Sequence, residues 1–386
     1  MTSIQDRSLL VLIMDLTPKT WGKRKHTRKQ MDKIRFSQNK SSMGPATLEE
    51  TLPAILSFII AFCSCHRDNT IIVIGVAGKE VSVLYPRKDQ MDNIVGITAL
   101  DKSIDLVEVR DGIMLGAADL VKESVRNHSN RGTAITAATS LGLCLINRIM
   151  KTASGGKIND EDSLLHRKED DGILSMISNN LNREGEGATS YAMEQRLAQR
   201  RARGLLSPRM LIVQASEDCT LDYNAFMNCV FAANKSDVVI DGCYMPSLGD
   251  NFPPTSTFLE QATDRTGGVF SKPTVPTQIR GGLTEVFMTV FLPPLGIRKE
   301  MNLLKGAEID FRARCFETGV SLTMGMVCNL CLSIFKDEPK GGQCLTCGAQ
   351  IMVNDINEVS EEKKRSDNGL DGSIDADRSK RARYDQ

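Results

Sequence analysis

The 386-residue sequence predicts an α/β protein: a doubly wound, mostly parallel, six-stranded sheet followed by a small four-cysteine module. Three observations carry that expectation. Helix-period and strand-period segments alternate along residues 8–292, and such alternation builds a parallel sheet with helices on both faces. The strongest strand segments are continuous apolar runs, as strands covered on both faces require. Two Cys-x-x-Cys pairs stand close together near the C-terminus.

The elements follow in order. "LLVLIM" (9–14) is the first strand and runs straight into Asp15. Residues 22–43 are strongly basic with one acid and read as a basic loop. Residues 46–64 carry apolar residues at helical spacing, with Thr47 and Glu50 placed for a capping box. "TIIVIGVA" (70–77) and "VSVLY" (81–85), joined by "GKE", form a hairpin that puts one antiparallel strand in the sheet. Helices follow over 104–126 and 133–150. "RMLIVQAS" (209–216) and "VVIDGCYM" (238–245) are two more buried strands, and "GGVFSK" (267–272) is a shorter one. The helix between them, 220–234, brings Leu221, Ala225, Cys229 and Ala232 onto one side. Residues 256–265 and 276–292 complete the helices.

Residues 151–207 are rich in Gly, Asn, Ser and mixed charge and read as a disordered insertion, with a short helix in "SYAMEQRLAQRRARG". The domain limits expected are 1–300 for the sheet domain, 310–353 for the cysteine module and 354–386 for a charged, disordered tail.

Bulk properties exclude some classes. Lys+Arg and Asp+Glu both total 48, so no globally charged surface wraps nucleic acid. The longest apolar run, 52–63, is too short to span a bilayer and reads as a buried helix, so no membrane is expected. An odd count of eleven cysteines argues for reduced thiols or a metal site rather than a disulfide framework. No phosphate loop, G-x-G-x-x-G, H-E-x-x-H or G-x-S-x-G is present, and the four histidines (26, 66, 128 and 166) sit in polar contexts. No nucleophile is assembled with a base, so no catalytic residue and no enzyme activity are expected.

The sharpest chemistry lies in "CNLCLSIFKDEPKGGQCLTCG". Cys328 and Cys331, then Cys344 and Cys347, each place two thiolates on a tight turn, and the twelve residues between the pairs suffice for a hairpin that brings the turns together. Four thiolates around one point suit a closed, structural zinc; four cysteines also suit an iron–sulfur cluster. Cys315 and the pair Cys63 and Cys65 read as structural. Leu330, Leu332, Ile334 and Phe335 around the first pair form either a small core or an exposed contact, with core the favoured reading.

Asp15 raises a second metal question. Ligands of open parallel sheets bind beyond the carboxyl ends of strands. Domains of the von Willebrand A type, which this alternation resembles, hold Mg²⁺ there through Asp-x-Ser-x-Ser, a Thr and a later Asp. Here "DLTPK" offers Asp15 and Thr17 but Lys19 where an oxygen is needed; Thr133 and Glu217 or Asp218 stand in for the other ligands. The site is therefore degenerate, and bound Mg is not expected; a Mg-dependent ligand-binding domain is the alternative reading.

With both parts in view, the sequence resembles the smaller von Willebrand A-domain subunits of the general transcription and repair factor TFIIH. The resemblance rests on the strand ending in Asp15 with "TPKTWGK" after it, on "RMLIVQASEDCTLDYNAFMNCVFAANKSDVVIDGC", on "FLEQATDRTGGVF" and on "DFRARCFETGVSLTMGMVCNLCLSIF". It implies a non-catalytic scaffold that pairs with the other von Willebrand A and zinc subunit of that complex. It also implies support for the helicase subunits in promoter opening and nucleotide excision repair, in the nucleus. Two basic clusters in the tail, 363–365 and 380–383, match an import signal, and the segment 22–43 offers a weak nucleic-acid contact.

Overall fold

The computed structural model describes residues 7–38, 44–86, 105–127, 133–153, 206–245, 255–301 and 312–350, apart from a few positions inside these stretches. The expected insertion and tail lie almost wholly outside the described residues. The chain forms two compact units, Met1–Phe311 and Arg312–Gln386.

The first unit is built on strands β1 (Ser8–Asp15), β2 (Thr70–Ala77), β3 (Glu80–Tyr85), β4 (Ser207–Gln214), β5 (Val239–Tyr244) and β6 (Phe270–Ser271). They lie in the order β3-β2-β1-β4-β5-β6. All neighbours are parallel except β2 and β3, whose hairpin turns at Gly78 with φ 63. This is the doubly wound sheet expected, with its one antiparallel edge strand. All eight residues of β1 are buried, as are all eight of β4. Strand side chains alternate between faces, so β1 sends Leu10, Leu12 and Met14 into one core and Leu9, Val11 and Ile13 into the other.

The helices divide between these two cores. Helix α2 (Leu48–Cys65) and helix α3 (Leu106–Arg126) cover the first face. Helix α2 is apolar and long enough to cross a membrane, yet Ala54, Ile55, Phe58, Ile59 and Phe62 are spent on the sheet. The Glu50 carboxylate accepts the Thr47 N–H at 2.9 Å, the reciprocal arm of the expected capping box. Helices α4 (Ile135–Ala153), α5 (Tyr223–Lys235) and α6 (Thr257–Thr266) cover the second face.

Three expectations are corrected. The basic segment is not a loop: residues Pro18–Gln38 form helix α1. Pro18 stands at its first turn, where a missing N–H costs nothing. Its inner side is made of Trp21 and of arginines, which a hydrophobic pattern counts as polar. Arg24 is fully buried, and its guanidinium donates to Ala46 O (3.0 Å), Met245 O (2.9 Å) and Gln278 Oε1 (2.6 Å). Burial pulls its pKa down to about 10, which leaves it charged at neutral pH. In α5 the inward stripe is Phe226, Met227, Val230 and Ala233, one position round from the expected side, and Leu221 is exposed. The last expected helix starts later than residue 276: α7 (Gly282–Val286) runs on into a π-helical turn over Phe287–Phe291, and a separate short helix, α8 (Leu295–Arg298), follows it.

The end of that helix is held by buried charge. Arg298 donates both terminal nitrogens to the Asp241 carboxylate on β5, at 2.7 and 2.9 Å. It also donates to Phe291 O and Pro293 O, which Arg209 of β4 reaches as well. Carbonyls that the ended helix leaves over are thus bonded by two arginines, and Asp241 balances them from a site 1% exposed. Removing one partner of a buried pair strands the other's charge. Asp241→Asn is expected to lower unfolding stability by about 3–5 kcal/mol in urea titrations; a loss under about 1 kcal/mol would show the network to be idle.

Candidate metal centre

Two places were expected to hold chemistry, and the structure treats them differently. At the carboxyl end of the sheet, β1 sits between β2 and β4, which is where the strand order turns. Asp15 lies there, 3% exposed. Its Oδ1 accepts the Thr17 N–H at 3.0 Å and the Thr17 hydroxyl at 2.6 Å. Its Oδ2 accepts the N–H groups of Ala215 and Ser216 at 3.1 and 2.7 Å. Trp21 Nε1 donates to the Asp15 carbonyl at 2.8 Å. Both carboxylate oxygens are therefore occupied by protein donors, and the acid ties the end of β1 to the turn after β4.

The other expected ligands do not converge on it. Lys19 is exposed on α1, and Glu217 is exposed. Asp218 turns away: its carboxylate accepts from Gln214 Nε2 (2.9 Å), Ser256 Oγ (2.6 Å) and the Phe258 N–H (3.2 Å). It thereby helps cap α6, whose N-cap Ser256 accepts from the Leu259 N–H. Thr133 lines a small pocket with Gln214, Asp218, Cys219 and Phe226 instead. A hard cation needs several converging oxygens; those of Asp15 and Asp218 are bonded to protein donors and Glu217 is exposed, so the residues do not fit Mg²⁺. Two of the four donors that hold the Asp15 carboxylate are backbone N–H groups 200 and 201 positions away, for which the sequence carries no side-chain signal.

In the second unit the four cysteines do come together. The Sγ atoms of Cys328, Cys331, Cys344 and Cys347 all lie within 4.8 Å of one another. Cys328 and Cys347 are 3.6 Å apart, and Cys331 and Cys344 3.5 Å. Four sulfurs at about 2.3 Å from one tetrahedral ion stand about 3.8 Å apart, so the cluster is sized for a single ion; a cluster of several irons needs its sulfurs farther apart.

Each pair sits on a knuckle of the same design. The Cys328 N–H donates to Ser333 O, and its carbonyl accepts from the Leu332 N–H; Cys344 pairs in the same way with Ala349 and Gly348. Both knuckles need a left-handed residue after the second cysteine. Gly348 supplies it at φ 74, while Leu332 adopts φ 60, a conformation that leucine resists. Strand β7 (Met326–Val327) pairs with β8 (Ile334–Phe335) around the first knuckle, and Gln343 bridges Gln350 around the second. The hairpins thus straddle the knuckles, whereas the sequence led us to place one hairpin between them. Ser333 Oγ and Thr346 Oγ1 are hydrogen-bonded at 3.0 Å, which joins the two turns.

The thiols feel this geometry. Hydrogen bonds from Ser333 pull the Cys331 thiol down to about 6. At Cys347 an Ala349 N–H favours the thiolate but is outweighed by desolvation and the three neighbouring thiols, and the group is pushed up to about 12. Four thiolates crowded together repel unless a cation sits among them. Cys315 is buried, and its sulfur accepts from the N–H groups of Thr318 and Lys336 at 3.5 and 3.3 Å, so it has a core role. Phe335 is fully buried and Ile334 partly so, but Leu330 and Leu332 are 74% and 70% exposed, which corrects the core reading for those two.

Fold and site together define a doubly wound, mostly parallel sheet protein whose strand-end acid, Asp15, is bonded to protein donors, and which carries a cluster of four cysteines. The family model described as transcription factor Tfb4 matches residues 7–348, and the chain belongs to that family. It is 27% identical to the general transcription and DNA repair factor IIH subunit TFB4 of Debaryomyces hansenii, over 94% of this chain and 92% of that one. It is 26% identical to the subunit tfb4 of Schizosaccharomyces pombe, over 90% and 89%. Among solved structures, the TFIIH p34 N-terminal domain aligns over 75% of this chain and all of that one, at 20% identity and a TM-score of 0.46.

If Asp15 is a fastener, Asp15→Asn should lower the melting temperature of the chain, by about 1.5–3 kcal/mol of stability for each charge-assisted bond lost. Magnesium chloride should leave the wild-type melting temperature where it was. A magnesium-dependent rise that Asp15→Asn abolishes would restore the site to cation binding.

Proposed function

We propose that this chain is a non-catalytic scaffold subunit of general transcription and DNA repair factor IIH, serving RNA polymerase II initiation and nucleotide excision repair in the nucleus. The family match along most of the chain supports the reading, and so does the chemistry of its two centres: the acid at the ligand-binding end of the sheet is consumed in hydrogen bonds, and the cysteine centre has no open position. The domain limits that go with it are 1–300, 310–353 and 354–386.

Cys328, Cys331, Cys344 and Cys347 are the proposed ligands of one structural zinc. When bound, the ion supplies cross-linking of the two knuckles, in a unit whose buried core is small: Cys328, Phe335 and Cys344, with Phe316, Cys331 and Ala349 against them. Metal analysis of the purified chain should give one zinc, lost in Cys331→Ser; iron in its place would refute the assignment.

The partners proposed are the factor's other von Willebrand A and zinc subunit and, through it, the helicase-bearing core. Leu330, Leu332 and Leu345 expose apolar surface around the knuckles, and Leu332 does so from a strained backbone where glycine would be easier. Such a choice is sensible where the side chain meets a partner. Leu330→Asp with Leu332→Asp should keep the zinc and weaken recovery of the other subunits on affinity purification by tenfold or more. Full recovery would remove the leucines from the interface, and recovery of no factor IIH subunit with the wild type would overturn the function.

A further inference from the structure

The exposed side of α1 is a cationic stripe that the scaffold reading leaves without a task. At 100° per residue, Lys19, Lys23, His26, Lys29 and Lys33 fall within an arc of about 120°. All five are exposed, whereas Trp21, Arg24, Arg28 and Met31 line the opposite side. The one acid of residues 18–33, Asp32, lies on the flank and is bonded to Arg28 at 3.5 Å. Glu49 and Glu50, the nearest acids of the adjoining helix, are engaged by Lys25 and Arg28. Among the described residues of α1 no acid stands on the arc itself, and Glu49 lies within electrostatic reach of Lys29 as well as Lys25.

The arrangement is unfavourable for the helix alone. Its first turn has no acid, and Lys19 stands beside the positive end of the helix dipole. Lys19 and Lys23, Lys25 and Lys29, and Lys29 and Lys33 are like charges four residues apart, a spacing that destabilises isolated helices. Sequence choices that work against the local structure call for a compensating contact.

We propose that this face of α1 docks on the phosphate backbone of duplex DNA. The stripe runs fourteen residue steps, about 21 Å at 1.5 Å per residue, enough to meet several phosphates. Trp21 is buried, and among the described side chains the arc holds a single ring, His26, short of the run of aromatic faces on which single strands stack. The arc's charge is carried by lysines, which meet phosphates as point charges, and Gln30 is its one amide among the described residues. The contact is electrostatic and sequence-independent. The choice of DNA as the duplex rests on the function proposed above.

Fluorescence anisotropy of the full chain with a 25-base-pair duplex of arbitrary sequence tests it. About three phosphates neutralised predict a log–log salt slope near −2.7, hence an affinity loss on the order of fortyfold between 50 and 200 mM salt. Lys19→Glu, Lys29→Glu and Lys33→Glu together should weaken binding at least tenfold and flatten that slope, with the melting temperature kept. Equal affinity in wild type and variant, or no binding at 50 mM salt, would overturn the proposal. So would displacement of the duplex by polyglutamate at matched charge, which would assign the stripe to an acidic protein segment. The same variant should still co-purify with factor IIH subunits, so failure of the DNA contact and failure of the subunit assignment are read separately.

Discussion

The carboxylate of Asp15 joins the two halves of the sheet at the point where they diverge. One oxygen holds the turn into α1, the other holds the turn after β4, and between them the chain spans 200 residues. Such a site normally faces solvent and offers its oxygens to a ligand. Here the same geometry is closed upon itself. Trp21 bonded to the Asp15 carbonyl and Arg24 bonded to Met245 and Gln278 extend the closure across the carboxyl end of the sheet. The position of α1, and with it the outward stance of its lysines, depends on that closure.

The second unit solves a different problem with different chemistry. Its buried apolar core is small, so packing alone supplies little stability. Two knuckles of matched hydrogen bonding bring four sulfurs to the spacing of one tetrahedral ion. Four thiolates at that spacing repel one another, a conflict that a dication among them relieves.

Much of this was legible in the sequence, for physical reasons that can be named. Strands β1, β2 and β4 are continuous apolar runs, and a strand buried on both faces leaves that signature whatever surrounds it. The cysteine centre was legible because its spacing is local. Helix α1 was not, because its inner face is built from arginines whose guanidinium groups are bonded to carbonyls far along the chain. The inward side of α5 was missed by one position because small residues such as Ala225 and Ala232 fit either side, and Phe226 and Val230 decide the matter only once the sheet is in place. The fate of Asp15 turned on backbone donors of Ala215 and Ser216, which no side-chain pattern marks.

The central claim is the proposal that Cys328, Cys331, Cys344 and Cys347 hold a structural zinc by sulfur alone. X-ray absorption at the zinc edge of the purified full chain tests it most directly. Four sulfur scatterers at about 2.3 Å and no lighter neighbour are predicted. A shell containing oxygen or nitrogen would contradict it, because it would mean a ligand from outside the four cysteines or an open position where water binds.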